Sequence, residues 1–129
     1  MEKILKMVNH ELTQDQIKDL NSQDYEIVTL PENLSGQLQQ CPDNYYELEL
    51  LAIAILEFAN TNNVVAILAP GGSPAFMAIF CAMNTFPLYF SHSVREFSEK
   101  TLSDGSVQKV NIFVHKRFII VEKQQYKII

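Results

Sequence analysis

The sequence predicts an α/β domain: a mostly parallel sheet with flanking helices, extended by a C-terminal β-hairpin over about residues 95–121. Three observations carry that prediction. Short apolar runs alternate with segments of helical periodicity, and strands joined through helices build parallel sheets with right-handed crossovers. The segment Val64-Val65-Ala66-Ile67-Leu68-Ala69-Pro70-Gly71-Gly72-Ser73-Pro74-Ala75 runs a buried strand through two glycines straight into a helix. Asp104-Gly105 between two strand patterns is a strong hairpin signal. With 129 residues, 47% of them apolar and 19% charged, the chain reads as one globular domain with a continuous core.

The elements follow in order. Ile4–Val8 is a short apolar strand ending at Asn9-His10. Thr13 caps a helix from about Gln14 to Leu20, with Ile17 and Leu20 facing inward. Tyr25–Leu30 is a second strand closed by Pro31, and the polar stretch Pro31–Asn44 is a connection with one helical turn. Tyr45, Leu48, Leu51, Ala52, Ile55 and Phe58 recur at helical spacing and define a helix to Asn60. Val64–Ala69 is the third strand. Ser73 as N-cap and Pro74 at the first helical position open a helix to Asn84. That helix is apolar on nearly all sides, which places it in the core or at a subunit contact. Pro87–Ser91 is a short fourth strand. Arg95–Leu102 and Val107–Val121 then flank Ser103-Asp104-Gly105-Ser106 as a hairpin suited to gripping another subunit. This is a Rossmann-like core with an added arm.

A net charge of −5 argues against a binder of long DNA or RNA, which needs a basic face. A small nucleotide held by a few well-placed groups remains compatible with it. The only two arginines, Arg95 and Arg117, are therefore candidates for specific tasks. Cys41 and Cys81 have no metal-type spacing; Cys81 reads as a small buried thiol, and no disulfide is expected. His10, His92 and His115 lie far apart, none with a second ligand at zinc-like spacing, so neither metal nor cofactor is expected. Gly-Gly-Ser-Pro is not a nucleophile elbow, which gives a Ser–His–Asp hydrolase little support. Asp15, Asp19, Glu47 and Glu49 fall on faces read as solvated. The start of the chain holds no apolar run of signal or membrane length, and a cytoplasmic location is expected.

Ligands of open parallel sheets bind beyond the carboxyl ends of the strands, near a switch in strand order. Here that rule collects Asn9 and His10, then Gly71, Gly72 and Ser73, then Ser91, His92 and Arg95. Glycines let the backbone approach a ligand, and the helix start behind them points N–H groups at an anion. Amide, imidazole, N–H, hydroxyl and guanidinium together can read a phosphate and a base or ribose. Each also has a plain role as a cap, turn or surface residue. In the hairpin, period-two alternation puts His115 and Arg117 on one face.

Taken together these pieces resemble the Csx-twenty group of small stand-alone CRISPR-associated proteins. The matching pieces are Val8-Asn9-His10-Glu11-Leu12-Thr13, the Gly71-Gly72 turn, Pro87-Leu88-Tyr89-Phe90-Ser91 followed by Arg95, the Asp104-Gly105 hairpin, and Phe113-Val114-His115-Lys116-Arg117-Phe118. In order they span nearly the whole chain; Ser91–Lys100 departs most from the group's pattern, which bears on Ser93 and Glu96. The resemblance implies a metal-independent ring nuclease of type III CRISPR defence. Such a protein works as a homodimer, binds cyclic tetra-adenylate and cleaves it, through ribose 2′-hydroxyl attack, to a 2′,3′-cyclic phosphate. On that reading Gly71–Ser73 hold a phosphate, Arg95 stabilises phosphoryl charge, and His10 or His115 moves a proton. Asn9, Ser91 and Arg117 contact the ligand. A non-catalytic sensor or sponge for the ring needs the same pocket; a third reading is a Rossmann-like protein using a mononucleotide, with the hairpin serving only assembly.

Overall fold

The computed structural model describes residues 1–7, 11–68 and 70–122. Its elements are β1 (Glu2–Lys6), α1 (Gln14–Ser22), β2 (Tyr25–Thr29), α2 (Glu32–Gln39), α3 (Tyr45–Thr61), β3 (Val64–Leu68), α4 (Pro74–Met83), β4 (Leu88–Thr101) and β5 (Val107–Val121). They form a five-stranded sheet in the order β2-β1-β3-β4-β5. The β1/β2, β1/β3 and β3/β4 pairs are parallel; β4 and β5 are antiparallel.

Strand alternation divides the core between two faces. On one, Leu5, Ile67 and Leu88 pack with Leu34 and Leu38 of α2, Leu48, Leu51 and Ile55 of α3, and Phe76 and Phe80 of α4. On the other, Ile4, Ala66, Leu68 and Tyr89 pack with Leu20 of α1. Three helices therefore cover one side and a single short helix the other. The sheet side under α1 compensates with aromatic packing. Tyr25 and Tyr89 meet edge to face at 5.6 Å and join their hydroxyls at 2.7 Å, and Phe118 lies 6.0 Å from Tyr89.

Burial, then the Tyr25 hydroxyl, push the Tyr89 phenol well above its ordinary value. The folded state thus favours the protonated form. That contribution to stability is complete below the unfolded value of about 10 and is lost as pH rises through the folded one. Wild type is expected to lose stability steeply above about pH 10 in urea titrations, and Tyr89→Phe to show a shallower alkaline decline. Equal slopes for the two proteins would remove Tyr89 as the cause.

Four departures from the sequence expectations lie in the elements themselves. The connection after β2 holds a two-turn helix, α2, of 8 residues anchored by Leu34 and Leu38 one turn apart. α1 is rotated from the expected position: Gln16 and Leu20 are buried, while Ile17 is 38% exposed. Gln16 tolerates burial because it completes a capping box: its N–H donates to Thr13 Oγ1 and its side-chain oxygen accepts from the Thr13 N–H. Cys81 is exposed rather than buried, because α4 buries only Phe76 and Phe80 fully and turns its small residues outward. Finally, the fourth sheet strand and the first hairpin arm are one 14-residue strand. Only Leu88 and Tyr89 pair with β3; the rest of β4 leaves the sheet with β5 as a two-stranded ribbon. Among the described residues no helix is long and apolar enough to cross a membrane.

Candidate functional site

The ribbon begins where β4 passes the carboxyl end of β3, and strand geometry decides what it presents. Residues of β4 alternate between the α1 side and the opposite side. Tyr89, which packs in the α1-side cluster, sets the phase, so Ser91, Ser93, Arg95 and Phe97 follow it on that side. Their registered partners on β5 include Phe118 opposite Ser91, His115 opposite Ser93 and Phe113 opposite Arg95.

These residues build a hydrogen-bonded cluster with α1. Ser91 Oγ lies 2.6 Å from His115 Nδ1, and His115 Nε2 lies 2.9 Å from Asp19 Oδ2. Ser93 Oγ lies 3.1 Å from Ser91 Oγ. The second oxygen of Asp19 accepts from Gln23 Nε2 at 2.9 Å, one helical turn along α1. The His115 ring packs 4.5 Å from the Phe118 ring, and its side chain is only 3% exposed against 27% for Asp19. A buried imidazole is thus clamped between a carboxylate and a hydroxyl, while Ser93 beyond them is exposed.

Two further features share this face. The Arg95 guanidinium stacks 5.4 Å over the Phe113 ring, and Phe113 and Phe97 are 65% and 70% exposed. Arg95 does not pair with Glu96; that carboxylate takes Lys116 at 2.9 Å, both partners half exposed, a contact worth little.

A β-bulge separates His115 from Arg117. His92 is registered with Arg117 and Ser93 with His115, leaving Lys116 as the extra residue. Neighbouring β4 residues face opposite sides, so Arg117 lies on the other face of the ribbon. The expectation that His115 and Arg117 share a face is corrected accordingly: one inserted residue breaks the period of two.

The Gly-Gly turn belongs to a different neighbourhood. Ser73 caps α4 as expected, its Oγ accepting from the Phe76 N–H. The Ser73 N–H donates to Cys41 Sγ at 3.3 Å and is thereby engaged within the fold. A Cβ on Gly72 would meet Phe76 and Leu38, so the turn is packed against α2 on the side of the sheet away from α1. Gly71 is open: a Cβ there would have nothing within 4 Å. Among the described residues no hydrogen bond joins this turn to the Ser91–His115 cluster. Asn9 and His10 lie outside the described residues. A cavity of about 260 Å³ opens at the carboxyl ends of β1 and β2, lined by Lys6, Glu11, Leu12, Ile17, Ile27 and Thr29.

Of the candidates named from sequence, the fold thus joins Ser91, His115 and Arg95 on one surface. It adds Asp19, which sequence reasoning assigned to a solvated face. The signal for Asp19 lay in the capping box: once Gln16 turns inward, Asp19 stands three residues on, at the edge of the same helix face. Among the described residues no group of three or more His, Cys, Asp or Glu is placed to hold a metal ion.

Compared with known proteins, residues 2–119 match the model of the uncharacterized protein MJ1673 family. The chain belongs to the MJ1673 family. No curated protein and no solved structure matches it. The span shared with the MJ1673 family runs from β1 into β5 and contains Asp19, Ser91, Ser93, Arg95 and His115.

Proposed function

We propose that this protein is a metal-independent ring nuclease that binds cyclic tetra-adenylate and cleaves it, switching off type III CRISPR antiviral signalling. The observation that carries the reading is the α1 side of the ribbon. Within a few residues it collects hydroxyls backed by an imidazole and a carboxylate, a guanidinium, and two exposed phenyl rings. Each has a counterpart in the ligand. The hydroxyls, with the imidazole behind them, suit a ribose hydroxyl, Arg95 suits the neighbouring phosphodiester, and adenines stack on phenylalanine with about 1–3 kcal/mol per base. The ordered likeness to the Csx-twenty group supplies the ring and the reaction. The Rossmann-like reading of the core, the cytoplasmic location and the homodimer belong to the same proposal.

A two-fold dimer presents one ribbon to each half of a symmetric ring. The opposite face of the ribbon suits the contact between copies: Val94, Val110, Ile112, Ile119 and Val121 share it and are 36–48% exposed. The chain's charge of −5 makes ring binding depend on local groups rather than on the overall field.

The test is incubation of the purified protein with cyclic tetra-adenylate in EDTA, with products read by mass spectrometry. Linear di- or tetra-adenylate ending in a cyclic phosphate is expected. One observation favours a second reading, a non-catalytic sensor or sponge: at 3% exposure the His115 side chain cannot itself reach a bound ring. An intact ring that stays bound to the protein would establish that reading. An intact ring with no binding would end both.

A further inference from the structure

Resting on the ring-nuclease reading, we infer that Ser93 is the group that takes the proton from the attacking ribose hydroxyl, and that Ser91, His115 and Asp19 form the relay behind it. The direction of the chain follows from its ends. A carboxylate offers only lone pairs, so the His115 nitrogen 2.9 Å from Asp19 Oδ2, Nε2, carries the hydrogen. A neutral imidazole then presents a lone pair at Nδ1. Ser91 Oγ, 2.6 Å from Nδ1, has to donate there. With its one proton committed, Ser91 can only accept from Ser93, 3.1 Å away. Ser93 in turn has no proton left for the ligand. Its outward side is lone pair.

Four residues are thereby oriented head to tail: Ser93 donates to Ser91, Ser91 to His115, and His115 to Asp19. The exposed end is an acceptor. A histidine too deeply buried to touch a ligand gains access to one through two hydroxyls. Asp19 fixes which nitrogen bears the hydrogen and stabilises the imidazolium when it forms, and Gln23 holds Asp19 in place. Asp19 is a positioning residue; the group that touches the ring is Ser93.

The step balances. The ribose 2′-O–H gives its proton to Ser93 Oγ as the Ser93 proton moves to Ser91 and the Ser91 proton to Nδ1. The 2′-oxygen bonds to phosphorus, the phosphorus–O5′ bond breaks, and O5′ takes a proton from solvent. The Nδ1 proton of His115 then returns to solvent back through Ser91 and Ser93, leaving a 2′,3′-cyclic phosphate. Arg95, two residues along the same face from Ser93, is about 7 Å away along the strand, within side-chain reach of a phosphate next to the attacking hydroxyl.

The test has a ligand-free arm and a kinetic arm. Nitrogen-15 NMR of the free protein, with the His115 signal assigned by its loss in His115→Gln, is expected to show Nε2 protonated and Nδ1 as acceptor. A hydrogen on Nδ1, alone or with one on Nε2, overturns the relay. With cyclic tetra-adenylate, Ser93→Ala is expected to lower kcat about 100-fold, as for loss of a proton acceptor, with ring affinity within twofold. Ser93→Thr, which keeps the hydroxyl, should recover most of the rate. His115→Gly should be inactive and regain turnover when free imidazole is added, an effect a purely structural histidine would not give. Wild-type kcat in Ser93→Ala overturns the proposal. Should wild type leave the ring intact while Nε2 carries the hydrogen, the substrate reading fails and the direction of the chain stands.

Discussion

Gly72→Ala is expected to destabilise the fold by about 3 kcal/mol, lowering the midpoint of thermal unfolding by about 10 °C. Two independent causes add. The backbone at Gly72 has φ of +119°, a region that residues with a Cβ rarely enter. The new methyl would also stand 2.8 Å from Phe76 Cδ1 and 3.0 Å from Leu38 Cδ1. Phe76 is fully buried and Leu38 nearly so, which leaves neither room to retreat. Gly71→Ala is the matched control, since its Cβ would meet nothing within 4 Å and its φ is not positive. It is expected to shift stability by no more than about 0.5 kcal/mol. Differential scanning calorimetry of the two variants checks both values. Equal effects would mean that the turn yields, and that the glycine pair is there for something other than close packing.

The second large effect concerns assembly. Val94→Glu combined with Ile112→Lys, which sets the new cation opposite Glu96, is expected to turn the proposed homodimer into a folded monomer, weakening association by at least about tenfold, or 1.4 kcal/mol. Both residues lie on the ribbon face away from α1, 39% and 46% exposed, so the folded monomer has little to lose at either position. The new charges stand diagonally across the β4/β5 ladder, where opposite signs attract. Against a partner they would be desolvated, and that cost falls on the dimer alone. Sedimentation velocity reads the oligomeric state and circular dichroism the fold. A variant that stays dimeric would move the contact elsewhere, with the outward small residues of α4 the next surface to alter. A wild type already monomeric would remove the dimer from the proposed mechanism.

What could be read from the sequence depended on whether a local pattern also satisfied the tertiary fold. Ser73-Pro74 is such a case: an N-cap hydroxyl and a proline at the first helical position act within a single turn, and α4 begins there. The β3 strand and α3 were similarly legible, because their apolar residues face a core that the same periodicity specifies. α2 was less so. Ser35 and Gly36 weaken helix propensity, and only Leu34 and Leu38, one turn apart, mark its buried edge. The length of β4 was obscured by Ser91-His92-Ser93, polar residues that read as a loop. A strand leaving its sheet has two solvated faces, so polarity there does not end it.

The candidate site divides along similar lines. Ser91, Arg95 and His115 were visible as residue types suited to a phosphoester ligand. Their convergence with Asp19 depended on the rotation of α1, which the buried Gln16 decides against the more apolar Ile17. The separation of Arg117 from His115 depended on the Lys116 bulge, a fact about two strands that neither strand states alone.

The double service of β4 also sets an order of events in time. Its ladder with β5 closes across the short Leu102–Ser106 turn, where Leu102 accepts from the Gly105 N–H and donates to Ser106. Asp104 secures the turn by accepting from the Ser106 hydroxyl and from the Ser106 N–H, and these bonds, the hydroxyl's first, hold its carboxyl below the usual carboxylate range. Closing so local a contact takes microseconds, whereas β1 must find β3 across the whole of α1, β2, α2 and α3. A two-stranded ribbon alone is marginal in water, so it opens and closes repeatedly until Leu88 and Tyr89 find β3. The ribbon is therefore expected to be the earliest part of the chain to form and the last to become permanent.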